Sequence, residues 1–235
     1  MDVARLRRVF PNRRIDYYPV LDSTMHAAAG LEAGSVVLAG EQTAGQGRLG
    51  HSWHSEAGTG IYCSLVLPDP PLLTLALGLA TAHAITTVTG LVCDLRWPND
   101  VMLAEKKVAG ILAQLSQGAS IAGIGININH TAFPAELREA TSLRLQTGRS
   151  WPPEDILLEL LPAVESFTRL ELPAILRLFA QGSTYASGRR VVVDQPGGMV
   201  EGTTAGLDPN GYLVVRKDDG TDTLILAGGV RAAGA

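Results

Sequence analysis

The amino-acid sequence predicts an α/β (α+β) domain over residues 1–186 followed by a small β-barrel over residues 187–235. Three observations carry this. Strand-like apolar runs alternate with helical segments through the first part of the chain. The longest apolar stretch, Leu72 to Val88, is interrupted by Gly78, His83 and several threonines, which is too short and mixed for a membrane span and fits a core helix. After Gly188 the pattern changes to the short runs RRVVVD, MVEGTTAGLD, GYLVVRKD and TDTLILAGG, at hairpin spacing and with PNG at 209–211 as a turn signal. The chain of 235 residues is 46% hydrophobic and 18% charged, as in folded globular proteins. Its net charge of -4 gives no reason to expect non-specific nucleic-acid binding.

The elements follow in order. Arg5, Arg7, Arg8, Arg13 and Arg14 make a basic start without a signal-peptide core or cleavage site, read here as a solvated segment of a cytoplasmic protein. Ser23 and Thr24, behind Asp22, offer N-caps to an alanine-rich helix closed by Gly30 and Gly34. SVVLAGEQ is a strand running into TAGQGRLGHSW, and GIYCSLVLP is a strand leaving it. The core helix ends at Gly90. LVCDLRWP is a strand stopped by Pro98, KVAGILAQLS a strand after a charged turn, and ASIAGIGININ, alternating small and branched residues, a central strand. Residues 152–182 are helical, punctuated by Pro152, Pro153, Pro162 and Pro173. Cys63 and Cys93 have no CxxC partner and are expected as buried, reduced thiols.

Several polar residues go beyond what packing asks for. Gly45, Gly47 and Gly50 remove Cβ atoms around Arg48, giving either a surface hairpin or a cradle for a phosphate or carboxylate. Pro98 turns the chain so that Asn99 and Asp100 face a loop or cleft, as an ordinary turn or a metal site. Lys107 opens the run VAGIL in a chain with sixteen arginines and only three lysines, which hints at a place for a compact charge on a thin stem. Asn127, on the face opposite Ile126 and Ile128, could offer a donor and an acceptor to a purine edge.

Taken in order, DST, EQTAGQGRLGHSW, RWPND, KVAGIL and GIGININ, with the small domain behind them, resemble the biotin protein ligases (biotin–[acetyl-CoA-carboxylase] ligases). The resemblance implies a mixed sheet with flanking helices, related to the class II synthetases, and an SH3-like C-terminal barrel. It implies that biotin reacts with ATP and magnesium to give biotinyl-5'-AMP, and that the acyl group passes to a lysine of a biotin carboxyl carrier protein. Lys107, Arg48 and Asp100 are then the catalytic candidates. Ser23, Thr24, Met25, Gln42, Gln46, Gly47, Arg48, Lys107 and Gly110 are placed around biotin. Gly45, Arg48, Trp53, Asn99, Lys107 and Asn127 are placed around ATP, with Asn99 and Asp100 as candidates for magnesium or for orienting Lys107.

Departures from the family pattern matter too. Gln46 stands where many members have a second loop arginine, Leu49 and His51 where another is found, and Met25 where an asparagine follows Ser-Thr. Gly229 stands at a commonly acidic position, leaving Arg231 a weak candidate for ATP. About twenty residues precede the Ser-Thr motif, so a ligase without the winged-helix repressor domain is expected. Monomer and homodimer stay open, as do two other functions: a lipoate or octanoate ligase of the same fold, and a non-catalytic biotin-binding module.

Overall fold

The computed structural model describes residues 1–116, 118–195 and 197–234. Helix α1 (Val3–Val9) starts at Asp2, whose carboxylate accepts the Arg5 N–H. Strand β1 (Ile15–Leu21) leads to α2 (Thr24–Ala28), capped by Ser23, whose Oγ accepts the Met25 N–H. Strands β2 (Val36–Gln42) and β3 (Gly60–Leu67) flank the glycine loop. Helix α3 (Leu73–Thr89) ends on Gly90 in the left-handed region, where glycine carries no Cβ penalty. Then come β4 (Asp94–Arg96), β5 (Asp100–Leu103), β6 (Lys106–Ser116), β7 (Ala119–Asn127), α4 (Leu143–Thr147), α5 (Pro153–Thr168) and α6 (Leu172–Gln181). The C-terminal part holds β8 (Ser187–Gln195), β9 (Gly198–Leu207), β10 (Leu213–Arg216), β11 (Asp222–Ile225) and β12 (Gly229–Ala232).

The seven strands β1 to β7 form one sheet in the order β1-β2-β3-β7-β6-β5-β4. Only β1 and β2 run parallel; the other neighbours are antiparallel. The GIGIN strand β7 is central, between β3 and β6, as its composition predicts. Helices α3 and α5 pack together against one face, with α1 and α6 beside them, while α2 packs on the other face. Strand parity sorts the residues. Val36, Leu38, Ile61, Cys63, Leu65, Ala122, Ile124 and Ile126 enter the main core, whereas Val37, Val66 and Ile121 join Met25 and Ala28 under α2. Each fully buried Val, Leu or Ile contributes about 1.5–3 kcal/mol, so the helix-covered face anchors the sheet and leaves the opposite face for the site. Cys63 lies buried in that core, which pushes its thiol up to about 12.

One expectation needs correction. The basic N-terminus is not merely solvated: Leu6 is fully buried, α1 packs on α5, Arg5 and Arg13 pair with Asp155 and Glu165, and Arg7 donates to the Ile15 carbonyl. Strand β4 stops before Pro98, as expected. Pro98 sits, after a cis peptide bond from Trp97, in a tight turn between β4 and β5, with Arg96 opposite Asp100, and Asn99 and Asp100 face the larger cleft.

Strands β8 to β12 form a second, antiparallel sheet in the order β11-β10-β9-β8-β12. Its PNG turn is closed by Asp208, whose carboxylate accepts the N–H groups of Asn210 and Tyr212. The Gly211 carbonyl in that turn accepts the Trp97 indole N–H at 2.9 Å, tying the small sheet to the rim of the large one. No helix among the described residues is long and apolar enough to cross a membrane.

Candidate active site

The glycine loop is a zipped hairpin with a charged tip. The Trp53 N–H donates to the Gly45 carbonyl (2.8 Å) and the Gly47 N–H to the His51 carbonyl (2.7 Å). A Cβ at position 45 would lie 2.6 Å from the Trp53 carbonyl oxygen, so Gly45 is required by its partner limb. At the tip, Arg48 opens a short 3-10 turn in which Leu49 takes a left-handed φ of 56° and is largely exposed. Arg48 itself turns inward. Its Nη1 donates to Asn99 Oδ1 at 2.9 Å and to the Gly228 carbonyl at 3.3 Å, so one guanidinium joins the loop, the WPND turn and the C-terminal sheet. Burial works against its charge, and Asp100 works for it.

Across from Arg48 stands a row of alternating charges. Lys107 Nζ lies 2.6 Å from Asp100 Oδ1, and Arg96 Nη2 lies 2.9 Å from Asp100 Oδ2. The Arg96 and Asp100 side chains are only 10% and 15% exposed, whereas that of Lys107 is 28% exposed. Burial alone pushes the Asp100 carboxyl up, but Lys107 and Arg96 outweigh it and hold it below its ordinary range. The β4–β5 hairpin supplies Arg96 and Asp100, and β6, hydrogen-bonded to β5, supplies Lys107.

A second polar group lies deeper. The Gln42 side-chain carbonyl accepts from the Thr24 N–H (2.8 Å) and hydroxyl (3.1 Å), and its amide donates to Ser55 Oγ (2.9 Å). Ser64 donates to Thr24 Oγ1 at 2.8 Å. Ser23, Thr24 and Ser64 are buried, and buried polar groups persist only when they are paired in this way. The floor between this group and Lys107 is glycine. On β7, a Cβ at Gly123 would meet Met25 Sδ at 2.8 Å, and one at Gly125 would collide with the Trp53 indole. At Gly110 on β6 the conflict is with Lys107 Cε and the Trp53 ring, both at 2.9 Å. Gly110 lines the smaller cleft, and its missing Cβ also makes room for Lys107 and Trp53.

Two clefts meet at this floor. The smaller is lined by Ser23, Thr24, Met25, Gln42, Gln46 and Gly110, among others. The larger is lined by Arg96, Asp100, Asn127, Glu139 and Arg231, among others, and reaches the C-terminal sheet. Gly47, Arg48, Trp53, Asn99 and Lys107 line both. The Trp53 Nε1 is buried there without a hydrogen-bond partner among the described residues, and Lys107 Nζ sits 5.3 Å from the Trp53 ring centre, within cation–π range. Asn127 faces the larger cleft, but its amide already donates to the Thr141 carbonyl at 3.0 Å. Gln46 turns outward to His26 Nε2 at 2.7 Å, and His26 Nδ1 lies 2.7 Å from Asp22 Oδ2.

Asn99 and Asp100 do not fit a resident magnesium ion. The Asn99 oxygen accepts from Arg48, its amide donates to the Ile111 carbonyl, and the Asp100 carboxylate lies between two cations. A metal there would face three fixed positive charges. Ser55, Ser64, Arg96 and Glu139 belong to the site without standing out in the sequence. Ser64 was hidden inside the apolar run IYCSLVL. Arg96, inside the quoted motif RWPND, could have been found from its four-residue spacing to Asp100 once a hairpin was recognised.

The profile of the Biotin/lipoate A/B protein ligase family matches residues 17–130, and that of the Biotin protein ligase C terminal domain matches residues 186–230. The biotin–[acetyl-CoA-carboxylase] ligase of Mycobacterium tuberculosis is 34% identical over 224 residues, covering 88% of this chain and 82% of its own length. The bifunctional ligase/repressor BirA of Bacillus subtilis is 32% identical over 226 residues, covering 87% and 70%. The Aquifex aeolicus biotin protein ligase, solved in complex with biotin and ATP, superposes with a TM-score of 0.85 at 30% identity, covering 94% of this chain and 99% of that one. The chain belongs to the biotin/lipoate A/B protein ligase family, as one of its biotin protein ligases.

Proposed function

We propose that the protein joins biotin and ATP into biotinyl-5'-AMP at the junction of the two clefts and transfers the biotinyl group to a lysine of a biotin carboxyl carrier protein. The observation that carries this is the junction itself: a polar pocket and a wide cleft share Lys107, Arg48 and Trp53. The acid's ring occupies the smaller cleft, with Ser23, Thr24 and Gln42 facing its ureido group and Met25 and Gly110 along its chain. ATP occupies the larger cleft beside Gly45, Arg48, Trp53, Asn99 and Asn127. Two anions must meet between them, and they repel unless fixed cations hold them together. Lys107 contacts the carboxylate and the α-phosphate as a carboxylate oxygen attacks phosphorus and pyrophosphate leaves. Arg48 grips the adenylate from the other side. Asp100, kept ionised by its neighbours, holds Lys107 in place. In the second step the carrier's lysine amine attacks the acyl carbon, AMP departs, and the closed loop keeps water from the anhydride. Magnesium neutralises phosphate charge when ATP is bound; no protein ligand is assigned to it.

The buried hydroxyl and amide group favours biotin over lipoate, since a ureido ring can exchange hydrogen bonds with the paired Thr24 and Gln42 whereas a dithiolane ring offers none. Pyrophosphate release measured with biotin, lipoate and octanoate, with and without a carrier domain, is expected to run with biotin only and to give a biotinylated carrier. Turnover with lipoate would support the related ligase, and no turnover with any acid a binding module. The protein is expected to work in the cytoplasm, as a monomer or homodimer.

Because Gln46 is engaged by His26 rather than presenting a charge, the adenylate is held by fewer cations than in arginine-rich relatives. Rapid-quench assays without acceptor should find part of it in solution. Gln46→Arg should slow that release on the order of tenfold, the worth of one charged hydrogen bond. Full retention by the wild-type protein would refute this.

A further inference from the structure

The returning limb of the glycine loop carries His54, which lines the larger cleft, and Glu56, on either side of Ser55, and His130 follows the end of β7. One ligand atom from each of the three lies within 4.8 Å of the others. The His54 and Glu56 side chains are 34% and 60% exposed, while His130 is fully buried.

Hydrogen-bond accounting assigns the His130 tautomer. The Thr59 hydroxyl donates to the Glu56 carbonyl at 2.9 Å, and the Tyr62 hydroxyl donates to the same carbonyl at 2.8 Å. With both protons committed, Thr59 Oγ1, 2.8 Å from His130 Nε2, must accept. Nε2 therefore carries the ring proton, and Nδ1 keeps a bare lone pair. That Nδ1 is buried and has no hydrogen-bond partner among the described residues. A neutral imidazole fixed through one nitrogen by an outer hydrogen bond, with the other nitrogen free, is how proteins present histidine to a metal. Phe133 stacks on the His130 ring with centroids 4.8 Å apart, which holds the ring's orientation.

We propose that His54, Glu56 and His130 form a binding site for a divalent transition cation such as zinc, clipping the return limb of the glycine loop to the end of β7. Two imidazoles and a carboxylate suit zinc, with solvent supplying the fourth position. Tetrahedral ligands around zinc stand roughly 3.4 Å apart, so the two surface side chains must close by less than about 1.5 Å. Trp53 directly precedes His54 and Ser55 directly precedes Glu56, so the clip fastens the segment that carries the junction tryptophan and the anchor of Gln42.

The test is calorimetric titration of Zn2+ into the chelator-stripped full-length chain without ATP, repeated with His54→Ala, Glu56→Gln and Thr59→Val. One ion should bind per wild-type chain. Losing either surface ligand should weaken binding by at least about tenfold, and Thr59→Val, which frees the tautomer, by about tenfold as well. Cobalt(II) should give visible d–d bands without the thiolate charge-transfer absorption that Cys63 or Cys93 would add. No binding by the wild type, equal binding by the His54 and Glu56 variants, or a thiolate band would overturn the site.

Discussion

Lys107→Ala is expected to lower biotin-dependent ATP–pyrophosphate exchange by roughly 10²–10³-fold, the usual cost of removing one preorganised electrostatic contact from a transition state. Biotin binding measured by calorimetry should weaken much less, because the buried pocket of Thr24, Gln42 and Ser64 is untouched. Lys107→Arg should not restore the rate. Nζ sits 2.6 Å from Asp100, under the Trp53 ring, and 3.1 Å from where a Cβ of Gly110 would be. A planar guanidinium would have to displace the indole, and it is not a substitute for a compact ammonium. Exchange at the wild-type rate in Lys107→Ala would remove this residue from the mechanism.

The largest stability effect is expected at Asp100. Removing its carboxylate leaves Arg96, 8% exposed, with Glu139 at 3.8 Å as its one remaining anionic partner among the described residues. Breaking a buried pair from one side costs about 3–5 kcal/mol, so Asp100→Ala should unfold at a much lower denaturant concentration. The pH dependence follows from the same contacts. The carboxyl's ordinary value is 3.8, and it is lower in the folded chain. Its contribution is therefore fully present above the ordinary value and is lost as pH falls below that towards the folded value. Denaturant melts of the wild type between neutral pH and about pH 3 should show this loss, and Asp100→Asn should lack that component. Identical acid limbs in the two proteins would show that Asp100 is not held ionised by Arg96 and Lys107.

How much was legible in the sequence depended on how local the signal was. Ser23 as a helix cap, Gly90 as a stop, the two strands around the loop and the central place of GIGIN follow from short-range chemistry. Strands β1 and β5 did not stand out: DYYPVL carries a proline and half-exposed residues, and DVML is only four residues long. Helix α1 was masked by its arginines, of which Arg5 ties it to Asp155 on α5 and Arg7 to the Ile15 carbonyl. In the site, the motifs brought Lys107, Arg48 and Asp100 to one place, but which charge faces which is a tertiary fact. That Asp100 serves Arg96 as well as Lys107, and that Arg48 reaches Gly228, could not be read from spacing across turns of unknown shape.

Between Ala122 and Ile126 strand β7 is written in alternation: Ile124 and Ile126 to the main core, Gly123 and Gly125 to Met25 and Trp53. Because side chains repeat every two residues, inserting or deleting a single residue in it would exchange the two sets. The core would receive glycines while branched side chains filled the cleft. Substitutions can alter either face separately, but a frame change damages both at once. Along this strand, descent can proceed only by replacement of residues, not by change of length.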